Sequence, residues 1–327
     1  MEERLWCQKL PDIQTKAILK GILAGNLLIV MLFFFSIIFS FSSPSYGFEL
    51  GLKTGSTKGT YYQIARDLSL LSKGYKLRLN VMPSEGSVEN IIGILADEKV
   101  HLAIVQDDVM AFIKLESEQQ SADKVYRAVI DKTRWVFPLY NEEIHVLGKK
   151  SISSFEQLQG KRVAVGSPGS GTRLTSNLMF SLSGIKPAKE IETGAQDSLS
   201  ALMRNQVDAM IQVAGYPVKL FEEFSNPRGF HLIPVTNRKV LELYTPSLIP
   251  RKTYNWQNAS IDTAAVKAAL VTIDYDGKVC DLIGKLGETI TDNIDWLRKY
   301  GHPKWKSVDL DFKMRLWNRS PCIKSSQ

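Results

Sequence analysis

The fold is decided by a stretch in which a strand, a glycine turn and a helix follow one another: 48-FELGLKTGSTKGTYYQIARDLSLLSKG-74. Its first residues form a short apolar strand, and Gly55 and Gly59 then punctuate a run of hydroxyl side chains. From Tyr62 onwards apolar residues recur at helical spacing, and Gly74 marks the end of that helix. The stretch predicts a strand–turn–helix unit whose turn presents backbone N–H groups and hydroxyls together.

A second stretch repeats this order of strand, glycine turn and helix: 161-KRVAVGSPGSGTRLTSNLMFSLSG-184. Two further segments, Gly86 to Gln106 and Gly194 to Val213, each begin at a glycine, continue as a helix and end as a buried strand. Strands that alternate with helices predict a parallel sheet covered by helices. Such sheets bind ligands beyond the carboxyl ends of their strands, so two facing lobes of this kind predict a cleft between them.

The predicted organisation places lobe 1 at residues 48–138 and lobe 2 at residues 139–236. Residues 237–327 are predicted to cross back and complete lobe 1 with C-terminal helices. The segment 263-TAAVKAALVTIDYD-276 is consistent with a strand, or with a helix that passes into a strand. The basic tail with three tryptophans that follows is predicted to pack over lobe 1, and contact with a membrane or a partner is the alternative.

An apolar run precedes the first lobe. Residues 21–41 carry no charge, and four basic residues come before them, as on the cytoplasmic flank of an export signal. About 20 apolar residues suffice to span a bilayer, whereas Ser45 and Gly47 are small enough to precede a signal-peptidase cut. Residues 1–47 are therefore predicted to be a signal peptide or a membrane anchor, with cleavage slightly favoured. In both cases the lobes are exported, and an uncleaved segment would make the membrane a partner.

Several function classes are disfavoured by what the chain lacks. The net charge is +7 without a dense basic block, so no nucleic-acid partner is predicted. Gly166 to Gly171 has the spacing of a phosphate loop, but Thr172 and Arg173 follow where Lys and then Ser or Thr are required. The nucleophile elbow is absent and the four histidines are isolated. No enzyme activity, catalytic residue, metal or cofactor is predicted.

The three cysteines give no disulfide framework. Cys280 and Cys322 could pair in an oxidising compartment, or both could remain free thiols. Spacing alone leaves these two alternatives open.

The glycine turns predict binding instead of catalysis. A helix N-terminus leaves about four N–H groups unpaired and carries partial positive charge, so it can hold a carboxylate. Thr60 begins the first such helix, and Thr172 or Arg173 begins the second. Gln106 and Gly215 follow the buried strands at the edge where a cleft would lie. The alternative is that these are two ordinary turns whose glycines only permit tight bends.

These segments, in order over about Glu49 to Tyr254, resemble the TAXI-type solute-binding proteins of tripartite ATP-independent periplasmic (TRAP) transporters. The resemblance rests on KTGSTKGTYYQIARDLS, PSEGSVENI, HLAIVQDDV, LQGKRVAVGSPGSGTRLT, QVDAMIQVAGYP and PSLIPRKTY. It implies an α/β, two-lobed periplasmic-binding-protein fold (type II-like) that closes on a small solute. It also implies an acidic amino acid or dicarboxylate as ligand, and delivery to the membrane component of a TRAP transporter. Ser56 and Lys58 depart from the family, which usually has glycines there.

The sequence thus predicts an extracytoplasmic solute-binding receptor for a small carboxylate, with Lys58 or Arg173 as a charge partner. The alternative is a membrane-anchored sensing or adaptor protein that uses the same cleft without transport. The candidate ligand-binding residues are Gly55, Ser56, Thr57, Lys58, Thr60, Tyr61, Tyr62, Gln106, Ser170, Gly171, Thr172, Arg173 and Gly215.

Overall fold

The computed structural model describes residues 48–117, 124–224, 227–314 and 317–324. The predicted signal or anchor at residues 1–47 lies outside them. Within the described ranges the eleven strands are β1 (Glu49–Lys53), β2 (Arg78–Met82), β3 (Leu102–Gln106), β4 (Thr133–Lys149), β5 (Arg162–Ala164), β6 (Lys189–Ile191), β7 (Ala209–Ala214), β8 (Phe230–Ile233), β9 (Thr245–Ile249), β10 (Ile261–Ile273) and β11 (Asn318–Arg319).

The helices of the same ranges alternate with the strands as the sequence predicts. They are α1 (Thr60–Lys73), α2 (Ser87–Ala96), α3 (Asp107–Ser117), α4 (Lys124–Lys132), α5 (Gly171–Ser183), α6 (Ala195–Met203), α7 (Lys219–Glu222), α8 (Arg238–Leu243), α9 (Gly277–Asp292) and α10 (Ile294–Tyr300). Short 3₁₀ turns occupy Phe155–Leu158 and Pro303–Ser307. In the described ranges no helix has the length and apolar character needed to cross a membrane.

The strands follow the order β2-β1-β3-β10-β4-β7-β5-β6, which divides into two lobes. In lobe 1, β1 pairs in parallel with β2 and β3, and β3 pairs antiparallel with β10. In lobe 2, β5 pairs in parallel with β6 and β7, and β7 and β8 flank the second half of β4. Each lobe therefore has its parallel strands on the outside and a long antiparallel strand towards the other lobe.

Two paired strands, β4 and β10, run through both lobes. β4 pairs with β10 from Thr133 to Glu143, and beyond that point it pairs with β7. The predicted boundary between residues 138 and 139 falls inside β4. Of the two alternatives for the segment 263–276, the structure has the strand: β10 continues through it as far as Ile273, and no helix precedes it there. Because both connections are hydrogen-bonded strands, the hinge between the lobes is a twisted ribbon.

Each lobe has its own apolar clusters. Lobe 1 packs Leu50 and Leu52 of β1 against Trp305 and Ile323, so the residues after α10 complete its core. Val240 packs in one lobe 2 cluster, and Ile249 and Tyr254 pack in the other. Residues 238–254 thus pack in lobe 2, although the sequence assigned them to the segment that crosses back to lobe 1. The chain crosses back to lobe 1 along β10, which pairs with β3.

The tail is held to lobe 1 by buried contacts. Trp305 is fully buried and donates its indole N–H to Asp67, with 2.9 Å between Nε1 and Oδ2. Lys304, which the sequence counted as part of a basic tail, is buried and pairs with Glu143 at 2.7 Å. A disulfide joins Cys280 to Cys322, which settles the pairing that spacing left open.

Candidate ligand-binding cleft

A cavity of about 90 Å³ lies between the lobes, at the carboxyl ends of their parallel strands. By the space that one buried water needs, this volume holds several water-sized groups, which suits a small solute. Its described lining comprises Gly55, Ser56, Gly59, Thr60, Tyr61, Glu85, Gly86, Ser87, Gln106, Glu142, Gly166, Ser167, Ser170, Gly171, Thr172, Gly194, Ala195, Gln212, Val213 and Ala214.

Four helix N-termini converge on this cavity, two from each lobe. The residues that precede α1, α2 and α6 are Gly59, Gly86 and Gly194, and none of them caps its helix through a side chain. Before α5, Ser170 caps its helix by accepting a hydrogen bond from the backbone N–H of Arg173. All four of these residues line the cavity. Glycine has no side chain that could accept from the first N–H groups of a helix, so α1 and α6 present positive partial charge to a solute. In α2 the Glu89 N–H donates to the Gly169 carbonyl of lobe 2, which leaves the N–H groups of Ser87 and Val88 for a solute.

The floor of the cavity is a buried hydrogen-bond network from lobe 1 and β4. The hydroxyl of Tyr61 donates to Glu142 at 2.6 Å and lies 3.1 Å from the hydroxyl of Ser87. Ser87 in turn donates to the side-chain oxygen of Gln106 at 3.2 Å. The Glu142 side chain reaches the floor because β4 crosses from one lobe to the other at this point. The network fixes the orientation of each polar side chain at the base of the cleft.

The electrostatics of the cavity are unusual for an anion site. Burial raises the pKa of the Glu142 carboxyl well above its usual range, and the nearby carboxylates of Asp108 and Glu143 raise it further. The hydrogen bond from Tyr61 and the charge of Lys304 oppose this effect. Among the described lining residues there are two glutamates, Glu85 and Glu142, and no lysine, arginine or histidine.

The two lobes touch across the cleft, so the structure is a closed form. The side-chain amide of Gln106 donates to Thr175 at 3.3 Å, and Thr175 donates to Asp108 at 2.7 Å. Tyr244 also donates to Asp108, at 3.0 Å. Burial raises the pKa of Asp108 to about 7, and its Oδ1 has no hydrogen-bond partner among the described residues. These contacts join α3 of lobe 1 to lobe 2.

The structure brings eight of the predicted residues to the cavity lining: Gly55, Ser56, Thr60, Tyr61, Gln106, Ser170, Gly171 and Thr172. Tyr61 reaches the floor with its hydroxyl, whereas Tyr62 lies outside the lining on the partly exposed side of α1. Thr57 also lies outside the lining, in the turn, where its carbonyl oxygen accepts from Gln63. The sequence expected one of the two adjacent tyrosines to face the cleft, and Tyr61 is the one that does.

The two predicted charge partners have other partners. Lys58 pairs with Glu223 at 2.6 Å, at an exposed position where the turn meets lobe 2. The guanidinium of Arg173 contacts Glu190 at 3.0 Å and Glu192 at 2.8 Å, and Arg173 is not among the residues that line the cavity. Arg173 is therefore paired outside the cavity lining. Lys58 lines an adjoining cavity of about 280 Å³, which shares Ser56, Gly59, Glu85, Gly194, Ala195 and Gln212 with the first, and there its ammonium is held by Glu223.

Gly215 contributes close packing behind the lining. Its carbonyl oxygen accepts a hydrogen bond from Thr60 at 2.5 Å, which joins the two lobes. A Cβ at this position would lie 2.6 Å from the Tyr140 ring and 2.9 Å from the Lys304 side chain. Only glycine allows this approach, so the residue shapes the cleft although it does not line it.

Sequence reasoning did not assign twelve of the twenty described lining residues to the site, and Gly86, Gly194 and Glu142 are among them. Gly86 and Gly194 were recognised as equivalent in the two lobes, but they were not assigned to the site. Glu142 was missed because it lies inside a strand, and the available signal was a pair of adjacent carboxylates in the otherwise apolar run of β4. A buried charge is costly and so points to a function or a partner.

The histidines lie apart from this site. His101 accepts a hydrogen bond from the Gly51 backbone at 3.0 Å, and His145 lies 2.8 Å from the Tyr254 hydroxyl. Across the part of the chain that the structure describes, no group of three or more His, Cys, Asp or Glu side chains could hold a metal ion.

A two-lobed α/β molecule that closes on a cavity at its strand ends has the architecture of a periplasmic solute-binding protein. The solved structure of a periplasmic transporter shares this fold, with a TM-score of 0.52, 13% identity, and coverage of 76% of this chain and 84% of that one. The chain belongs to the NMT1-like family, whose family model matches residues 52–316.

Two further solved structures are similar over much of the chain. A protein from Bordetella bronchiseptica RB50 has a TM-score of 0.49 at 15% identity, covering 80% of this chain and 76% of that one. An ancestral arginine-binding protein bound to arginine has a TM-score of 0.47 at 15% identity, covering 77% of this chain and 96% of that one.

Proposed function

We propose that this protein is an extracytoplasmic solute-binding receptor that captures a small carboxylate by closure of its two lobes. The observation that carries the proposal is the convergence of four helix N-termini, two from each lobe, on one cavity. A carboxylate held by both lobes would stabilise the closed form over the open one, since an opened cleft offers it only half of these N–H groups. The buried, partly unpaired Glu142 in the same cavity is an independent indication of a polar ligand.

The delivery partner that we propose is the membrane component of a TRAP transporter. The support is the resemblance of the segments around both glycine turns to TAXI-type proteins, since these segments contain most of the residues that line the cavity, although not Glu142, Gly194 or Ala195. A receptor of this kind releases its solute when the lobes open at the membrane, and the ribbon of β4 and β10 is the element about which they would open. The protein has no chemical step to perform in this role.

A thermal-denaturation screen tests the receptor function. The panel contains the common L-amino acids, the dicarboxylates succinate, glutarate and malate, and uncharged sugars of similar size. A solute at a hundred times its dissociation constant should add about 2.7 kcal/mol to the free energy of unfolding. Stabilisation by at least one carboxylate is the expected result. Stabilisation by an uncharged sugar alone would contradict the carboxylate site, and no stabilisation by any member would contradict the receptor function.

A further inference from the structure

We propose that the cleft selects a zwitterionic solute, and that Glu142 is the residue that binds its cationic ammonium group. This inference rests on the proposed receptor function and assigns the class of solute to it. It distinguishes an amino acid from a dicarboxylate, the two ligand classes that helix N-termini alone cannot separate.

The first argument is the balance of charge in the cavity. Glu85 and Glu142 line it, and its described lining contains no cationic side chain. Lys58 lines the adjoining cavity, where its ammonium is paired with Glu223, and Arg173 is paired with Glu190. A dicarboxylate would bring two negative charges beside Glu85 and would require the Glu142 carboxyl to stay protonated, with only helix N-termini to offset its charge. A solute that carries one ammonium group supplies the positive charge that the lining lacks.

The second argument is the position of Glu142. Its side chain is 3% exposed, and within the described residues the side-chain hydrogen bond it makes is the one from Tyr61 to Oε2. Oε1 has no such partner and belongs to a residue that lines the cavity. Lys304, whose charge also acts on Glu142, is held by Glu143 at 2.7 Å. A free carboxyl oxygen at the floor of a cleft is a ready acceptor for an ammonium group.

The third argument is geometric. The floor oxygen and the helix N-termini line the same small cavity, so an ammonium and a carboxylate on adjacent atoms of one solute can meet both. The turn before α1 and the turn before α5 receive the carboxylate from opposite lobes. Tyr61 connects the two subsites, since it lies in the first turn of α1 and donates to Glu142.

The assignment has a consequence for protons. Burial raises the pKa of the Glu142 carboxyl, which favours a proton on it in the empty cleft. When an ammonium group binds, the carboxyl is ionised and its proton passes to solvent, while the ammonium keeps its own. Affinity for an amino acid should then rise with pH up to the pKa of free Glu142. A dicarboxylate needs the neutral carboxyl and should bind more weakly as the pH rises. The titratable groups that act on Glu142 are Tyr61, Asp108, Tyr140, Glu143 and Lys304.

The experiment uses the matched pairs L-glutamate and glutarate, and L-aspartate and succinate, which differ only in the amino group. Isothermal titration calorimetry of the full protein at pH 6, 7 and 8, in two buffers of different ionisation enthalpy, gives the affinity and the number of protons released. We expect at least tenfold tighter binding of one amino acid than of its dicarboxylate partner, with release of up to one proton.

The variant Glu142→Gln tests the assignment to this residue. It should lower the affinity for the amino acid by at least about thirtyfold, abolish proton release, and leave the dicarboxylate unaffected or bound more tightly. Glu98→Gln, an exposed glutamate in the turn before β3, is the matched control and should behave as the native protein. If Glu142→Gln does not fold, Tyr61→Phe replaces it, because loss of the hydroxyl should raise the pH at which amino-acid affinity levels off.

Three results overturn the inference. If a dicarboxylate binds the native protein as tightly as the matched amino acid, the protein does not recognise the ammonium group. The receptor function would remain supported in that case. If Glu142→Gln keeps both the preference for the amino acid and the release of a proton, a residue other than Glu142 binds the ammonium group. Absence of binding by every member of the screen, sugars included, overturns the receptor function together with the inference.

Discussion

Replacement of Gly171 by alanine should weaken solute binding by blocking closure of the cleft. A Cβ on Gly171 would lie 1.4 Å from Oε1 and 2.5 Å from Cδ of Gln106, and 2.9 Å from Oγ of Ser87. Gln106 and Ser87 belong to lobe 1 and Gly171 to lobe 2, so the added methyl group collides only when the lobes close. The Gln106 side chain would have to leave its place at the floor.

The cost follows from the hydrogen bonds that Gln106 would lose. These are the bonds to Ser87 at 3.2 Å and to Thr175 at 3.3 Å. Each of these hydrogen bonds stabilises the closed form by about 0.5–1.5 kcal/mol, so the loss of both costs about 1–3 kcal/mol. This free energy corresponds to a loss of solute affinity of about 5-fold to 150-fold. The unliganded protein should keep its stability, because Gly171 begins α5 without the positive φ that would strain alanine.

The assay is calorimetric titration of Gly171→Ala with the solute identified by the screen, together with urea denaturation of the unliganded protein. Gly74→Ala is the matched control, because Gly74 caps α1 far from the cleft and its Cβ would meet the nearest atom at an ordinary 3.5 Å. Small-angle scattering should show that solute compacts the native protein and the control more than Gly171→Ala. Native affinity in Gly171→Ala, with an unchanged melting profile, would refute the closed-cleft reasoning.

Three further predictions concern stability and the second turn. Reduction of the Cys280–Cys322 disulfide, whose cysteines are 42 residues apart, should lower the free energy of unfolding by about 4 kcal/mol, measured by urea denaturation with and without reductant. The pKa of Asp108 is about 3.9 in the unfolded chain and about 7 in the folded protein, so the free energy of unfolding should fall as the pH rises from about 4 to about 7. Denaturation at several pH values should show a shallower fall in Asp108→Asn than in the native protein. An equal fall in the two proteins would contradict this prediction. Ser170→Ala should cost about 1 kcal/mol in thermal melts through the lost cap on Arg173, and weaken solute binding.

The two-lobed fold was predictable from sequence because its signals are local. The turn from Gly55 to Gly59 and the turn from Gly166 to Gly171 each join a strand to a helix, and the structure has β1 and α1, and β5 and α5, at these places. Periodicity and glycine position are short-range properties, so one reading along the chain recovers them. The fold prediction was confirmed on that basis.

The chemistry of the cleft was less predictable because it depends on residues far apart in sequence. Whether Arg173 faces the cavity is decided by Glu190 and Glu192, which reach it from β6 and the loop that follows. The environment of Glu142 depends on Tyr61 and on Lys304, which arrive from opposite ends of the described chain. A strand pattern gives the face of a side chain but not the partners that other segments bring to it.

The division of the chain between the lobes also sets the order in which they can fold. Both core clusters of lobe 2 draw on residues 144–266 and are complete within that span. The core of lobe 1 joins Leu50 and Leu52 to Trp305 and Ile323, so it cannot close until the whole intervening chain is available. During synthesis, lobe 2 should form while the strands of lobe 1 still expose apolar surface. The lobe that begins first in the chain is therefore the one that depends longest on protection from aggregation.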